Sequence, residues 1–329
     1  MSEKGTTLQV DSLSTSFRTR QGWLKAVDGV SFSVAQGEIL GLVGESGCGK
    51  SVTSQSILRL YDEKRDVHYE GRIRLDGEDL LALSPKEMHK VRGSRISMIF
   101  QDALSSLNPV FTVGDQICEP LMIHQGLARR QAMEKAVELL KLVNIPAPER
   151  RVMQYPHELS GGMRQRVMIA IALACKPELL IADEPTTALD VTVQAQIMDL
   201  IRELNQKLGM SVMLITHDLG VVAETCDRVA VMYLGQIVEQ ADKNAIFDDP
   251  RHPYTWGLIH SIPRLDGDRA KPLYSIEGTV PLLNQVPQGC CRFAQRCPHV
   301  SERCRTAMPR LQEAAPGHWV RCWMCAREE

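Results

Sequence analysis

Gly44-Glu45-Ser46-Gly47-Cys48-Gly49-Lys50-Ser51 decides the fold class, because it fits the phosphate-loop pattern G-x-x-x-x-G-K-[ST] completely. It follows the apolar run Ile39–Val43, which predicts a buried strand, and precedes a helical stretch at about 51–60. Glycines between a strand and a helix let backbone amides converge on phosphate oxygens at the helix N-terminus. We predict Lys50 on the β- and γ-phosphates and the Ser51 hydroxyl on Mg²⁺. The predicted nucleotide contacts of this stretch are Gly44, Ser46, Gly47, Cys48, Gly49, Lys50, Ser51 and Val52.

An acidic motif follows much later, where residues 179–184 read Leu-Leu-Ile-Ala-Asp-Glu. The apolar residues predict a buried parallel strand, and the two carboxylates lie at its C-terminal end, where α/β proteins bind ligands. Asp183 is predicted to hold Mg²⁺ through its water shell, and Glu184 to polarise an attacking water. Together with the phosphate loop, this motif favours nucleotide hydrolysis.

Length and composition limit the alternatives. A chain of 329 residues suggests about two domains, and 44% hydrophobic and 24% charged residues are ordinary globular values. The chain has 38 Lys and Arg residues and 40 Asp and Glu residues, so its net charge is -2. This charge does not indicate a nucleic-acid partner. The longest apolar run, Val167–Cys175, is far shorter than the about 20 residues of a spanning helix, and no signal-peptide core is present. We expect a soluble, cytosolic protein.

Hydrophobic patterning predicts the order of the elements. Short strands are expected over 6–43 and, with an Asp-Gly turn, over 71–80, and a helical region over 102–175 that includes 129–142 and 163–175. Leu179–Ala182, Val193–Leu208 and Val212–Ile215 predict a βαβ unit. After about residue 247, Pro and Arg increase and periodicity fades. We predict a nucleotide-binding domain over 1–247, with a helical subdomain at about 102–175, and an extension over 248–329.

A further motif lies at residues 159–166, which read Leu-Ser-Gly-Gly-Met-Arg-Gln-Arg. It resembles the LSGGxxQR signature of ABC ATPases. From the residues alone, Ser160 is a good N-cap, and the two glycines leave the amides of a helix start open to an anion. The resemblance covers about 7–247 and implies an α/β fold: a P-loop NTPase (RecA-like) core with an antiparallel β subdomain and an α-helical signature subdomain. It also implies that Ser160, Gly161, Gly162 and Gln165 contact ATP held by a second ATPase subunit.

Other ABC elements match in order. Gln101, after the predicted strand 96–100, resembles the Q-loop glutamine, and Asp190 in Ala188-Leu189-Asp190 resembles the D-loop aspartate. His217 resembles the switch histidine, and Phe17 resembles the aromatic residue that stacks on adenine. Taken alone, Phe17 is more typical of a core aromatic and His217 of a surface residue. The resemblance implies catalytic roles for Glu184, His217 and Gln101. It assigns Mg²⁺ to Ser51, Gln101 and Asp183.

The predicted extension over 248–329, which we call the tail, narrows the resemblance to the oligopeptide/dipeptide permease ATPases, a group with a C-terminal extension. The similar segments are Arg251-His252-Pro253-Tyr254-Thr255, Pro287-Gln288-Gly289 and Arg296-Cys297-Pro298. The stretch SMIFQDALSSLNP is similar to that group's FQDPxxSLNP, with Ala103 in place of proline.

This resemblance implies an ATPase subunit that powers import of peptides, or of a related solute such as nickel, by ATP-driven head-to-tail dimer closure. The implied partners are a paralogous ATPase, two membrane permeases and, indirectly, an extracytoplasmic solute-binding protein. The implied location is peripheral, on the cytoplasmic face of the membrane. A non-transport ABC ATPase, an exporter-type subunit and a metal-sensing regulatory module are the alternatives.

Six of the ten cysteines crowd the tail, at positions 290, 291, 297, 304, 322 and 325. In a reducing cytosol, this clustering indicates metal more than disulfides. The spacing of Cys291, Cys297, Cys304 and Cys322 resembles that of permease ATPases suggested to hold a [4Fe–4S] cluster, with Cys290 and Cys325 as alternates. Zinc, or no metal, is the alternative. Six arginines against two glutamates over 290–325 would offset the charge of a cluster.

A seventh cysteine, Cys48, lies inside the phosphate loop. A helix N-terminus and Lys50 beside it predict a lowered thiol pKa and a reactive thiolate that MgATP protects. The alternative is a small residue present only because it fits.

Overall fold

The computed structural model describes residues 5–20, 22–101, 106–187, 189–262, 274–287 and 289–325. The chain forms two compact units. We call the first the signature unit; it comprises the residues up to Leu8, Val34–Ile39 and Leu75–Leu214. We call the second the phosphate-loop unit; it comprises Gln9–Ser33, Leu40–Arg74 and the residues from Ile215 onward.

Among the described residues there are twelve strands and eleven α-helices. The strands are β1 Thr6–Thr19, β2 Gly22–Ala35, β3 Ile39–Val43, β4 Val67–Leu75, β5 Glu78–Asp79, β6 Ile96–Ile99, β7 Leu179–Asp183, β8 Ser211–Thr216, β9 Arg228–Tyr233, β10 Gln236–Asp242, β11 Gln312–Ala315 and β12 His318–Val320. The helices are α1 Lys50–Ile57, α2 Pro85–Val91, α3 Val113–Gln125, α4 Arg129–Leu142, α5 Pro148–Arg151, α6 Gly161–Leu173, α7 Val191–Leu208, α8 Leu219–Thr225, α9 Lys243–Asp248, α10 Pro253–His260 and α11 Glu302–Thr306.

In the signature unit, β8, β7 and β6 lie side by side in that order. β6 and β7 are parallel, with Ile96 opposite Leu179, and every residue of β7 is buried. Helices α3, α4 and α6 pack against one another, and α6 also contacts β6 and α7. The amphipathic pattern explains this arrangement, because α4 buries one face consisting of Ala132, Ala136, Leu139 and Leu140.

In the phosphate-loop unit, β11, β12, β10, β9 and β3 are neighbours in that order. β3 runs parallel to β9, whereas β9–β10, β10–β12 and β11–β12 are antiparallel. The hairpin β11–β12 is therefore added directly to β10. In the same unit, β2, β1 and β4 are neighbours in that order.

The structure confirms several predicted elements. β3 has the predicted bounds, α4 begins and ends where its periodicity does, and β7, α7 and β8 form the predicted strand–helix–strand series. The helix expected to reach about residue 60 ends at Ile57. β9 and β10 were not predicted. The two compact units divide the chain differently from the boundary predicted after residue 247, which stays a prediction.

Across the described part of the chain, no helix has both the length and the apolar character that crossing a bilayer requires.

Candidate functional site

The phosphate loop depends on three glycines with positive φ: Gly44 at 153°, Gly47 at 76° and Gly49 at 105°. A Cβ on Gly44 would lie 2.2 Å from the carbonyl oxygen of Met232, and one on Gly49 would lie 2.9 Å from its Cε. A Cβ on Gly47 would meet open space, so only its backbone angle calls for glycine there. Gly49 is the N-cap of α1 and provides no side-chain cap, which leaves the first amides of the helix for an anion.

Lys50 is held against the loop itself. Its side chain is buried, and Nζ donates to the carbonyl oxygens of Gly44 at 2.7 Å and Glu45 at 3.1 Å. Ser51 follows in the first turn of α1. The predicted phosphate and Mg²⁺ residues of the loop therefore lie at one helix start.

The predicted lowering of the Cys48 thiol pKa is wrong. The side chain is 1% exposed, and its burial raises the pKa of the thiol, although the charge of Lys50 acts the other way. Desolvation outweighs the nearby cation because the thiol is covered by the loop, with Sγ only 2.8 Å from where a Cβ of Gly44 would lie. The alternative, a small residue chosen for fit, agrees with this environment.

Two residues of the tail contact the loop, and the sequence analysis assigned no role to either of them. The guanidinium of Arg296 donates to both carboxylate oxygens of Glu45, at 2.7 and 3.1 Å. The hydroxyl oxygen of Tyr254 accepts from the backbone N–H of Glu45 at 2.8 Å. Both residues lie in tail segments that carried the family resemblance, but no local pattern connects them to a loop more than 200 positions earlier.

The acidic residues lie at the end of β7 in the signature unit. Asp183 is 2% exposed, and Glu184 follows it with φ of 46°, a conformation that costs a non-glycine residue of order 1–3 kcal/mol. Gln101 Nε2 donates to Glu184 Oε2 at 2.9 Å, and Thr187 Oγ1 donates to the same oxygen at 3.0 Å. The structure therefore brings Gln101 to Glu184, and it adds Thr187, which the sequence analysis missed.

The signature residues form the start of α6. Ser160 is its N-cap and accepts from the N–H of Met163 at 3.4 Å, as the sequence predicts. A Cβ on Gly162 would lie 2.7 Å from Cγ1 of Val193, whereas one on Gly161 would have an ordinary 3.6 Å contact with Leu189. Gln165 is 3% exposed, and its Nε2 has no hydrogen-bond partner among the described residues.

Asp190, the predicted D-loop residue, is the N-cap of α7. Its carboxylate accepts from the N–H of Val193 at 3.0 Å, so the same valine contacts both the D-loop and the signature helix. Ala188 lies outside the described residues, as does Ala103 of the FQD segment.

The two remaining predicted residues lie in the phosphate-loop unit. His217 is exposed immediately after β8, one position before Asp218, the N-cap of α8. Phe17 is half-buried, and its ring makes a T-shaped contact with Tyr61 at a centroid distance of 4.8 Å.

The tail cysteines are free thiols. Burial raises the pKa of Cys291 to about 12, and the charges of Cys304, Cys322 and Cys297 add to the effect. Cys290 instead turns its Sγ to the carbonyl oxygen of Pro287 at 3.1 Å. Within the described ranges, no group of three or more His, Cys, Asp or Glu side chains is arranged to hold a metal ion.

The arginines of the tail are partly engaged elsewhere. Arg292 pairs with Asp28 at 2.5 Å, and Arg296 pairs with Glu45. Arg303 lies over the ring of Trp323 at 3.8 Å. Six arginines were predicted to offset the charge of a cluster. At least two of them, Arg292 and Arg296, are paired with carboxylates instead.

Comparison of the sequence with known families gives two matches. The family described as ABC transporter matches residues 27–187, and the family described as oligopeptide/dipeptide transporter, C-terminal region, matches residues 238–304.

Individual relatives match along nearly the whole chain. A probable peptide ABC transporter ATP-binding protein, y4tR of Sinorhizobium fredii, is 55% identical over 96% of this chain and 94% of its own. The oligopeptide transport ATP-binding protein AppD of Bacillus subtilis is 50% identical over 98% of both chains. The dipeptide transport ATP-binding protein DppD of Bacillus subtilis is 51% identical over 96% of this chain and 94% of its own.

Solved structures give the same fold. The ATP-binding cassette MJ0796, in a dimeric post-hydrolysis state bound to ADP and Pi, matches with a TM-score of 0.64 and 28% identity, over 72% of this chain and 98% of that one. CbiO1 of Clostridium perfringens, part of the ABC transporter complex cbiONQ, matches with a TM-score of 0.64 and 28% identity, over 75% of this chain and 92% of that one.

Proposed function

This chain belongs to the ABC transporter ATP-binding proteins of the oligopeptide/dipeptide group, and from that premise we propose that it hydrolyses ATP to power peptide import. The matched relatives are named for peptides, oligopeptides and dipeptides, so nickel, which the sequence left open, is not favoured.

The observation that carries hydrolysis, as distinct from nucleotide binding alone, is the position of Glu184. Its carboxylate follows a fully buried strand and is fixed by donors from Gln101 and Thr187. A carboxylate with such partners keeps one orientation, which general-base catalysis requires. In the proposed mechanism, Glu184 orients and polarises the attacking water, and His217 contacts the γ-phosphate.

For the phosphates, we assign the amides of residues 44–52 and the ammonium group of Lys50. For Mg²⁺, the donors are Ser51, Asp183 and Gln101, which offer the hard oxygen atoms that this cation prefers. The carboxylate of Asp183, 2% exposed, ends the buried strand β7, and the carboxyl ends of such strands are where α/β proteins bind their ligands. When bound, Mg²⁺ would neutralise part of the negative charge of the ATP phosphates. Phe17 is proposed to stack on adenine.

Coupling to transport is proposed to follow the family arrangement. The dimer closes head to tail, so that the signature residues of one subunit contact the ATP held by the other. These residues are Ser160, Gly161, Gly162 and Gln165, and Asp190 of the D-loop lies at the same interface. Support comes from the N-terminal amides of α6, which two glycines leave uncovered. The finer fold assignments are a RecA-like core, an antiparallel β subdomain and an α-helical signature subdomain, with a Cys-rich extension.

The proposed partners are a paralogous ATPase, two membrane permeases and, indirectly, a solute-binding protein. The proposed location is the cytoplasmic face of the membrane. ATP closes the dimer because the closed state binds ATP more tightly than ADP, and this difference in affinity is what can move the permeases.

For the tail, a [4Fe–4S] cluster on Cys291, Cys297, Cys304 and Cys322 stays a proposal. The electrostatic influence of Cys304, Cys322 and Cys297 on Cys291 supports it, and the contact of Cys290 with Pro287 favours Cys291 as the ligand. The described residues contain no group of three or more His, Cys, Asp or Glu side chains arranged to hold a metal ion, and this applies to the cluster and to zinc alike. No mechanistic step depends on the cluster. Anaerobic purification should give a brown protein with about four iron atoms per chain; a colourless product without iron would exclude the cluster.

Transport is tested with the complete complex in liposomes, by measuring ATP hydrolysis and uptake of labelled di- and oligopeptides together. We expect hydrolysis that rises with peptide-loaded binding protein and uptake that requires ATP. Hydrolysis without uptake of any peptide would support the non-transport alternative, and peptide movement in the opposite direction would support the exporter-type one.

A further inference from the structure

In the phosphate loop, three side chains hold the three polar groups of Glu45. The Tyr254 hydroxyl takes its amide N–H at 2.8 Å, and Lys50 Nζ donates to its carbonyl oxygen at 3.1 Å. The guanidinium of Arg296 takes its carboxylate through two parallel bonds of 2.7 and 3.1 Å. Of these three side chains, Tyr254 and Arg296 belong to the tail.

Arg296 is held by other contacts besides Glu45. Its side chain is only 4% exposed, Nε donates to the carbonyl oxygen of Glu277 at 3.1 Å, and its guanidinium lies 5.9 Å from the ring centroid of Tyr233. Among the described residues, Glu45 is its one carboxylate partner. A buried guanidinium that lost this partner would be costly, so the pair holds both groups in place.

The tail residues around Arg296 form a packed base. Phe293, one turn earlier, packs against the rings of both Tyr233 and Tyr254 at centroid distances of 5.2 and 5.5 Å. Tyr254 is 0% exposed. The two contacts on Glu45 therefore come from one packed aromatic cluster of the phosphate-loop unit.

A glycine-rich loop benefits from such a base. Gly44 and Gly47 flank Glu45 and Ser46 and allow the chain many conformations, so ordering the loop around phosphate costs conformational entropy. A loop that is already held in shape avoids that cost when the ligand binds.

We propose that Arg296 is a positioning residue for nucleotide binding, which acts through Glu45 to keep the phosphate loop in its binding shape. Tyr254 supports the same residue from its amide side. This inference rests on the proposed ATP site and adds to it a role for the tail: nucleotide affinity depends on a side chain that no phosphate touches.

The test compares Arg296→Ala, Arg296→Lys, Glu45→Gln and the double variant Arg296→Ala/Glu45→Gln in the full chain. Binding of MgATP and MgADP is titrated with fluorescent analogues, and KM and kcat are measured in the complete complex. Arg303→Ala is the matched control, because it removes a tail arginine that lies over Trp323 and not on the loop. Thermal unfolding checks that each variant is folded.

We expect Arg296→Ala to raise Kd for both nucleotides, and KM for ATP, about tenfold, with kcat within about twofold of wild type, because a bidentate charge-assisted contact is lost. Arg296→Lys should restore part of the affinity, since it keeps the charge but not the fork. The double variant should bind no worse than the weaker single variant, because both changes break one contact.

Two results would overturn the proposal: folded Arg296→Ala that binds nucleotide like the Arg303→Ala control, or effects of the two single changes that multiply in the double variant. If Arg296→Ala does not fold, Glu45→Gln decides, because Glu45 is partly exposed and its amide has nearly the same shape; unchanged affinity there also overturns it. Wild-type protein that binds no nucleotide would instead refute the proposed function.

Discussion

Nε2 of Gln101 lies 2.9 Å from Oε2 of Glu184, although the two residues are 83 positions apart in the sequence. Gln101 follows β6 and Glu184 follows β7, and these strands are parallel neighbours, so their carboxyl ends meet on the same side of the sheet. A residue proposed to hold Mg²⁺ therefore touches the proposed catalytic carboxylate directly. Movement at Gln101 would change the surroundings of Glu184 without any intermediary.

Glu184→Gln tests the catalytic assignment. The amide keeps the size of the side chain but cannot accept a proton, so we expect ATP binding close to wild type and a loss of about 10²–10⁴-fold in hydrolysis. Lys50→Ala should have the opposite profile, with weakened nucleotide binding. Steady-state hydrolysis by the full complex and nucleotide titration separate the two; near-normal turnover in Glu184→Gln would contradict the assignment.

Gly162→Ala tests the contact between the signature helix and α7. The new methyl group would lie 2.7 Å from Cγ1 of Val193, so we expect a loss of about 1–3 kcal/mol of unfolding free energy from overpacking. Urea denaturation measures it. Gly161→Ala is the matched control, because its methyl group would have an ordinary contact at 3.6 Å, and Val193→Ala in the Gly162→Ala background should recover part of the loss. Equal stability of the two alanine variants would contradict the steric explanation.

Cys48 should label slowly with maleimide. Its burial raises the thiol pKa, so less thiolate is present at pH 8 than in an unfolded chain, and the side chain is covered. We expect labelling about tenfold or more slower in native than in urea-unfolded protein, followed by mass spectrometry of the Cys48 peptide. Fast native labelling that MgATP blocks would instead restore the reactive-thiolate interpretation.

His252 should make stability depend on pH. It is buried as the N-cap of α10, and desolvation lowers its pKa to about 4 from the ordinary 6.5, with Glu239 opposing this shift and Arg321 adding to it. The unfolded chain takes up a proton below pH 6.5 that the native protein refuses, so stability present above pH 6.5 is lost as pH falls toward 4.

We expect His252→Asn, which can still cap the helix, to lack this component. The stability of wild type relative to the variant should fall by up to about 3 kcal/mol between pH 6.5 and 4. Denaturant titrations at several pH values measure the difference, and parallel pH curves for the two proteins would show that His252 contributes nothing.

The sequence predicted those parts of the fold whose signals are local. β3 and β7 are continuous apolar runs, and α4 has an unbroken helical period, so their bounds agree closely with expectation. β10 was not predicted because it buries the polar residues Gln236 and Glu239, whose partners Asp28 and His318 lie far away in the sequence. A polar residue in a strand cannot be distinguished from a surface residue without those partners.

The same distinction applies to the site. Motif spacing predicted the phosphate loop, the N-cap role of Ser160 and the acidic residues at the end of β7. It could not predict the contact of Arg296 with Glu45, which joins positions 251 apart. Nor could it predict the direction of the Cys48 pKa, because that direction depends on burial and not on the neighbouring lysine.

The hairpin β11–β12 has a consequence for how this protein can be shortened. β12 covers the outer side of β10, with Val320 opposite Glu239, and His318 donates to the fully buried carboxylate of Glu239 at 2.6 Å. Trimming the chain to its ATPase homology would uncover a row of unpaired backbone groups on β10 and strand a carboxylate inside. Such an open sheet edge is a template on which another copy can add, so the trimmed protein would aggregate. We therefore expect the hairpin to protect this edge of β10 from pairing with another copy.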